Sequence, residues 1–230
     1  MQRRFLLAIL CCLVPLSLQA QTVVITEIMY NPDSSESTTE TQYIEIANVT
    51  NAPINVNNWT IDDEDGDGPN TLPNVTIPAR GIAVIVGSNA SDFNTAWAAS
   101  IDPGATIISL DDLGQTMFNL ANSPSGTSEI IQLRDDMASL VDEVNYDDSG
   151  VWPSDPGGPS IYLNISEAML QASGDTDNDD GNNWAQASNG VDGAINSTPT
   201  GVWDAIDTGS PGNFDGGGFV PVELLSFSVD

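Results

Sequence analysis

The spacing of β-branched and turn-forming residues is the feature that most constrains this fold. Short runs rich in Val, Ile and Thr recur along the chain, and clusters of Asn, Asp, Gly and Pro separate them. Such runs are typical of strands joined by turns, and no long stretch places apolar residues at helical spacing. We therefore predict an all-β domain, built as a sandwich or a barrel. The predicted strands are Val23 to Tyr30, Gln42 to Asn48, Ile54 to Ile61, Val75 to Ile77, Ile82 to Gly87, Ile107 to Leu110, Glu129 to Arg134, Leu140 to Tyr146 and Ser160 to Asn164.

The segments between these strands are long for a compact domain. The loop Asp62 to Pro73 is acidic, Ser88 to Ala105 includes a predicted helical turn around Ala96 to Ala99, and Ser166 to Asp207 is mostly polar. Loops of this length are usually functional or disordered. They are where we look for binding residues.

The first twenty residues have the three parts of a secretory signal peptide. Arg3 and Arg4 form the charged region, Phe5 to Leu18 the apolar region, and Ala20 ends a small-residue cleavage site before Gln21. The apolar region is too short for a transmembrane helix. We expect export to the cell surface or the extracellular medium, with the periplasm as an alternative.

The remaining chain is expected to form one domain and a tail. The predicted sandwich occupies residues 21–215, and residues 216–230 form a Gly-rich joint followed by a strand-like segment, Phe219 to Val229. The sequence leaves open whether that segment completes the sheet or anchors the protein.

The residue inventory of the mature chain excludes much of enzyme chemistry. Removal of the leader leaves no His, Lys or Cys, and 33 carboxylates against Arg80 and Arg134, hence a formal charge of −31. Imidazole bases, Ser-His-Asp triads, Schiff bases and ordinary zinc sites are therefore unavailable. Nucleic acid and anionic lipid bind mainly through Lys and Arg, so we expect neither as a partner. The expected partner is an extracellular protein or a polysaccharide.

A series of motifs in fixed order spans Val23 to Asn213. They are Val24 to Pro32, Tyr43 to Asn48, Pro53 to Ile61, Ile77 to Val86, Val141 to Tyr146, Gly158 to Leu163, Asn183-Trp184 and Gly209 to Asn213. In this order they resemble the lamin tail domain, an immunoglobulin-like β-sandwich found on nuclear lamins and on many secreted bacterial proteins.

The resemblance carries expectations about fold and function. It implies an immunoglobulin-like sandwich with Trp59 in the core. For the secreted bacterial members it implies a non-catalytic extracellular module whose ligand is generally unknown. The chain departs from the family in its acidic insertion after Trp59 and its Asp/Asn-rich stretch before Trp184. The lamin context does not carry over, because the chain has no coiled coil.

Alternating carboxylates in the acidic loop predict a Ca²⁺ site. Asp63, Asp65 and Asp67 occupy alternate positions, a Gly follows at the sixth position, and Pro69 supplies a carbonyl at the seventh. The twelfth position is Asn74 rather than the bidentate Glu of a full EF-hand. The alternative is a solvated acidic hairpin tip.

A weaker version of the same pattern occurs at Asp175, Asp177 and Asp179. Here the Gly comes one place late. The alternative is a flexible polar linker.

Three carboxylates are candidates for a hydrolase alternative. Glu27 and Glu45 would be neighbours if their strands pair, and two such carboxyls about 5 to 9 Å apart in an open cleft would support a glycosidase. Burial of the pair would count against it. Asp207 begins the Asp-Thr-Gly-Ser string of aspartic proteases, which need a second Asp to share a proton.

Three tryptophans in Gly/Pro/Asp-rich loops are candidates for a sugar-stacking surface. They are Trp152, Trp184 and Trp203. We expect Trp184, in a polar loop, to contribute less to stability than Trp59. The sequence as a whole predicts a non-catalytic secreted or cell-surface module with a binding or structural role. Its ligand is unknown, and Ca²⁺ is the candidate ion. A carboxylate hydrolase and a carbohydrate-binding module are the alternatives.

Overall fold

The fold is a β-sandwich, as the pattern of short strands predicts. The computed structural model describes residues 23–36, 40–63, 68–122, 129–154, 157–165 and 178–213. The predicted signal peptide and the strand-like tail lie outside these residues. The strands in the described part are β1 (Val23–Met29), β2 (Tyr43–Asn48), β3 (Ile54–Asn55), β4 (Thr60–Asp62), β5 (Asn70–Thr71), β6 (Thr76–Ile77), β7 (Ile82–Val86), β8 (Thr106–Ser109), β9 (Glu129–Arg134), β10 (Leu140–Tyr146), β11 (Ile161–Leu163), β12 (Trp184–Gln186), β13 (Ile195–Asn196) and β14 (Thr208–Gly209).

These strands form two main sheets. Six strands lie in the order β12-β11-β1-β2-β7-β8, and four lie in the order β10-β9-β4-β5. All pairings are antiparallel except that of β7 with β8. Two short ribbons, β3 with β6 and β13 with β14, complete the described strands.

The central strands β1 and β2 are buried along their whole length. Strand side chains alternate between the two faces of a sheet, so full burial means that both faces are covered. Tyr43 shows what covers the second face, because its ring packs against Phe93, Trp97 and Trp203. The outer face of the six-stranded sheet is therefore covered by the helical segment that contains Phe93 and by the C-terminal segment that contains Trp203.

The helix that covers this face is α1 (Ala90–Ala96), which begins earlier than the predicted turn around Ala96 to Ala99. Asn89 is its N-cap, and its side chain accepts a hydrogen bond from Asp92 N at 2.9 Å. The helix buries Phe93 against the sheet.

Two β-bulges lie where the sheets meet. In β1 the register shifts between Ile25 and Glu27, and in β10 it shifts between Leu140 and Asp142. A bulge re-aims the side chains around it and frees a backbone group from the ladder. Ile25 N uses that freedom to donate to Asp142 Oδ2 at 2.6 Å, which ties the six-stranded sheet to the four-stranded one.

The prediction of one continuous strand from Ile54 to Ile61 is wrong, because the structure has two short strands there. The chain turns at Asn58, whose φ is 61°, and the turn separates β3 from β4. Trp59, directly after the turn, is buried as expected. The placement of Trp184 in a polar loop is wrong, because Trp184 begins β12 and is only 5% exposed. Its smaller contribution to stability stays a prediction from the sequence.

Candidate functional site

A pair of glutamates lies at the centre of the outer face of the six-stranded sheet. The register of β1 and β2 places Glu27 directly opposite Glu45, as the sequence predicts. Both side chains are 1% exposed. Residues 208–213, which we call the C-terminal strap, lie over them and donate hydrogen bonds to both.

Glu27 accepts four hydrogen bonds. Its Oε1 accepts from Tyr43 Oη at 2.7 Å, Ser160 Oγ at 2.5 Å and Ser210 N at 2.8 Å. Its Oε2 accepts from Ser210 Oγ at 3.0 Å. Burial raises the pKa of Glu27, and these donors oppose that rise because they stabilise the ionised form. Glu27 thus joins β1, β2, the residue before β11 and the strap through one carboxyl group.

Glu45 has fewer donors. Its Oε1 lies 2.7 Å from Thr26 Oγ1, and its Oε2 accepts from Gly212 N at 2.7 Å. Burial, and then the neighbouring charge of Glu27, raise the pKa of Glu45 to about 8. Thr26 is the extra residue of the β1 bulge, so the irregularity in the strand also supplies this contact.

The strap approaches the sheet too closely for a side chain at Gly209. A Cβ there would lie 2.2 Å from Tyr43 Oη and 2.9 Å from Glu27 Oε1. Only glycine lets the backbone reach the carboxylates at this distance. The Gly-Ser-Pro-Gly-Asn motif therefore has a physical role in seating the strap.

The glycosidase alternative requires an open cleft around the two carboxyls. Among the described residues, Glu27 and Glu45 lie under the strap rather than in a cleft, with 1% of each side chain exposed. Their oxygens are occupied by hydrogen-bond donors of the protein itself. In this arrangement the pair acts as a structural acceptor group.

Asp207 of the Asp-Thr-Gly-Ser string is also a buried acceptor. Its carboxylate accepts from Asp33 N at 2.5 Å and from Ser34 Oγ at 2.5 Å, and the side chain is 0% exposed. Burial raises its pKa. It joins the loop after β1 to the chain entering the strap.

A further buried carboxylate, Asp142, was not among the predicted site residues. Besides Ile25 N, its Oδ2 accepts from Asn178 Nδ2 at 2.8 Å, and Trp184 Nε1 donates to Asn178 O at 2.8 Å. Burial raises the pKa of Asp142 well above its usual range. The sequence pattern could have predicted its burial, because residues two apart on a strand share a face and Val144 is apolar.

The structure locates part of each predicted Ca²⁺ loop. Asp63 is 5% exposed directly after β4, Pro69 is exposed, and Asp65 and Asp67 lie outside the described residues. Asp179 of the second loop is exposed, whereas Asp175 and Asp177 also lie outside the described residues. No group of three Asp, Glu, His or Cys residues in the described part could hold a metal ion. Calcium binding stays a prediction.

The three candidate sugar-stacking tryptophans do not form one surface. Trp152 and Trp184 lie together with ring centroids 5.7 Å apart, and Gly181 packs against the Trp152 ring. Trp203 is 0% exposed in the aromatic cluster that covers Tyr43. A stacking platform needs an accessible ring face, which Trp203 does not offer here. The ligand roles of Trp152 and Trp184 stay a prediction.

No helix in the described residues is long and apolar enough to span a membrane.

The chain is similar to one known protein family. A comparison with curated proteins returned no match. The family model of the lamin tail domain matches residues 17–148, which is more than half of the chain. The match includes β1, β2 and both glutamates. The sandwich architecture and this match together assign the protein: it belongs to the lamin tail domain family.

Proposed function

We propose that this protein is an exported, non-catalytic β-sandwich module that binds an extracellular protein or a polysaccharide. The observation that carries the proposal is the use of its buried carboxylates. Glu27, Glu45 and Asp207 were the candidates for acid or base catalysis, and each accepts hydrogen bonds that hold the fold together. A group committed in this way does not reach a substrate.

The family supports the same reading at a coarser level, since the lamin tail domain is an immunoglobulin-like fold that typically carries no catalytic site. The leader supports export. The surface charge supports the choice of partner, because exposed aspartates such as Asp102, Asp111 and Asp136 are not matched by lysines anywhere in the chain. Such a surface attracts basic proteins and repels phosphate backbones.

Export is tested by the mass of the mature N-terminus. The protein is expressed in a secreting host, the medium, periplasm and cytoplasm are separated, and each form is analysed by mass spectrometry. We expect a chain starting near Gln21 outside the cytoplasm. A form starting at Met1 and confined to the cytoplasm contradicts the proposal.

Binding is tested with defined probes. The mature chain is titrated by calorimetry with poly-L-lysine as a basic polymer and with a neutral glucan, each at low and at high NaCl. Binding to poly-L-lysine that weakens steeply with salt supports the electrostatic mode. Salt-insensitive binding to the glucan supports the carbohydrate alternative, with Trp152→Ala as the first variant to test.

The hydrolase alternative has its own measurement. Chromogenic glycosides and an unfolded casein substrate are incubated with the mature chain and with Glu27→Gln. We expect no turnover by either. Turnover by the native chain that disappears in Glu27→Gln would overturn the non-catalytic proposal.

A further inference from the structure

The carboxyl pair under the C-terminal strap is held by amide and hydroxyl donors rather than by a basic side chain. The mature chain has two arginines, and they are engaged elsewhere. Arg80 donates to Asn51, and Arg134 donates to Gln132 and Ala138. Two ionised carboxylates at neighbouring positions in a low-dielectric site repel one another strongly. A proton retained by one of the two carboxyls relieves this repulsion.

The hydrogen bonds indicate which glutamate holds that proton. Glu27 accepts from four donors, an arrangement that suits an ionised carboxylate. Glu45 accepts from two backbone amides of the strap, Gly212 N at Oε2 and Asn213 N, and faces the Thr26 hydroxyl at Oε1. A hydroxyl can accept as well as donate, so a protonated Oε1 of Glu45 has a partner in Thr26.

Few other titratable groups surround the pair. On β2, Tyr43 donates to Glu27, and burial raises the Tyr43 pKa well above its usual range. On β11, Tyr162 is the register partner of Glu27, and its hydroxyl donates to Asp192. The carboxyl of Asp207, just before the strap, is directed at the loop after β1.

The remaining neighbours carry no charge. On β7 the register partner of Glu45 is Val84, and the helix α1 presents Phe93 to Tyr43. The strap itself contributes Ser210, Gly212 and the backbone of Asn213. Glu27 and Glu45 are therefore the two carboxyls that face one another beneath the strap.

We propose that the strap is a pH-dependent latch, closed on the sheet while Glu27 and Glu45 share one proton and released when both carboxyls ionise. Release breaks the hydrogen bonds from Gly212 N and Asn213 N to Glu45 and gives the shared proton to water. It also uncovers the outer face of the six-stranded sheet beside Tyr43.

The direction of the effect follows from proton linkage. The closed state holds Glu45 with a pKa of about 8, against the ordinary value of 4.5 for a solvated glutamate. Protonation of Glu45 stabilises the closed strap relative to the open strap. This stabilisation is complete below pH 4.5 and is lost as the pH rises toward 8. Between the two values, the ratio of closed to open strap falls by about tenfold per pH unit.

Hydrogen exchange of the full mature chain tests the latch. Exchange is measured by mass spectrometry from pH 5.5 to 8.5 and corrected for the intrinsic pH dependence of amide exchange. Peptides containing residues 208–213 report on the strap, and peptides from β9 (Glu129–Arg134) report on the core. We expect strap protection to fall at least tenfold over this range while core protection changes by less than about twofold.

Two variants sharpen the test. Glu45→Gln reproduces the hydrogen bonds of a protonated Glu45 without its titration, so its strap protection should be independent of pH. Glu143→Gln removes one charge from a partly buried position on β10 and should behave like the native chain. Strap protection in the native chain that does not change with pH would overturn the latch. An equal loss of protection in strap and core would also overturn it, and so would a Glu45→Gln strap whose protection depends on pH as in the native chain. The two outcomes measured on the native chain decide the test even if a variant does not fold.

Discussion

The part of the chain that matches the family, 23–148, and the part that follows it, 157–213, contribute differently to the same fold. The first part contains the long strands and three of the buried carboxylates, Glu27, Glu45 and Asp142. The second contains short strands and supplies many of the donors to those carboxylates. Buried acceptors of the matched region are therefore satisfied by residues beyond it.

The donors of the second part are specific. Ser160 and Ser210 reach Glu27, Gly212 reaches Glu45, and Asn178 reaches Asp142. A buried carboxylate without its donors costs several kcal/mol more than one with them. The second part also pairs β11 with β1, so that β1 is not an edge strand.

Removal of the second part should have the largest effect. A chain ending at residue 148 leaves β1 as an open edge and strips donors from three buried carboxylates. We expect no cooperative thermal transition by circular dichroism and strong binding of a hydrophobic dye. A truncated chain that unfolds cooperatively near the native midpoint would show that the matched region folds alone.

One tryptophan from each part allows a matched comparison. Trp59 is 8% exposed and Trp184 is 5% exposed. Truncation of a buried Trp costs about 3 to 5 kcal/mol, so Trp59→Ala and Trp184→Ala should be equally destabilising within about 1 kcal/mol. Chemical denaturation measures both. A Trp184→Ala cost below about 1 kcal/mol would mean that the second part packs only loosely on the first.

The seat of the strap can be tested with a glycine pair. Gly209→Ala places a Cβ against Tyr43 and Glu27, and overpacking of this kind costs about 1 to 3 kcal/mol. Gly157→Ala is the control, since its nearest neighbours would be 3.8 Å from the added Cβ. Urea denaturation should separate the two variants. Equal stabilities would indicate that the strap does not lie against the carboxylates.

The smallest expected effect concerns the acidic loop of the first part. Carboxylates at alternate positions should bind Ca²⁺ weakly, with Kd of about 10⁻⁴ to 10⁻³ M. Millimolar Ca²⁺ should then raise the thermal midpoint by about 2 to 4 °C. Mg²⁺ at matched ionic strength is the control for screening, and Asp65→Asn with Asp67→Asn is the control variant. Equal shifts for both ions and both proteins would leave only a diffuse counterion effect.

The difference between the two parts also decides what was predictable from sequence. The sequence predicts strands β9 and β10 with the bounds that the structure shows. The family resemblance, rather than the pattern, suggests the strand pairing that places Glu27 opposite Glu45. These strands have enough residues to show a pattern of apolar and polar positions. The prediction of a sandwich rested on such segments.

The strands of the second part lacked that signal. β12, β13 and β14 have two or three residues each. β12 and β13 lie within the predicted polar loop Ser166 to Asp207, and β14 directly follows it. A strand this short shows no periodicity, because long-range pairing rather than local pattern defines it. For the same reason the sequence makes Trp203 a candidate for sugar stacking, although its ring packs on Tyr43 in the core.

The most direct test of the account is a double-mutant cycle between the two parts. Glu27→Ala, Ser210→Ala and the double variant are compared with the native chain by chemical denaturation at pH 6. If the strap is held by Glu27, the two substitutions should be coupled by about 1 to 3 kcal/mol, as expected for hydrogen bonds to a buried charged group. Costs that add within about 0.3 kcal/mol would contradict the account, because independent sites behave in that way.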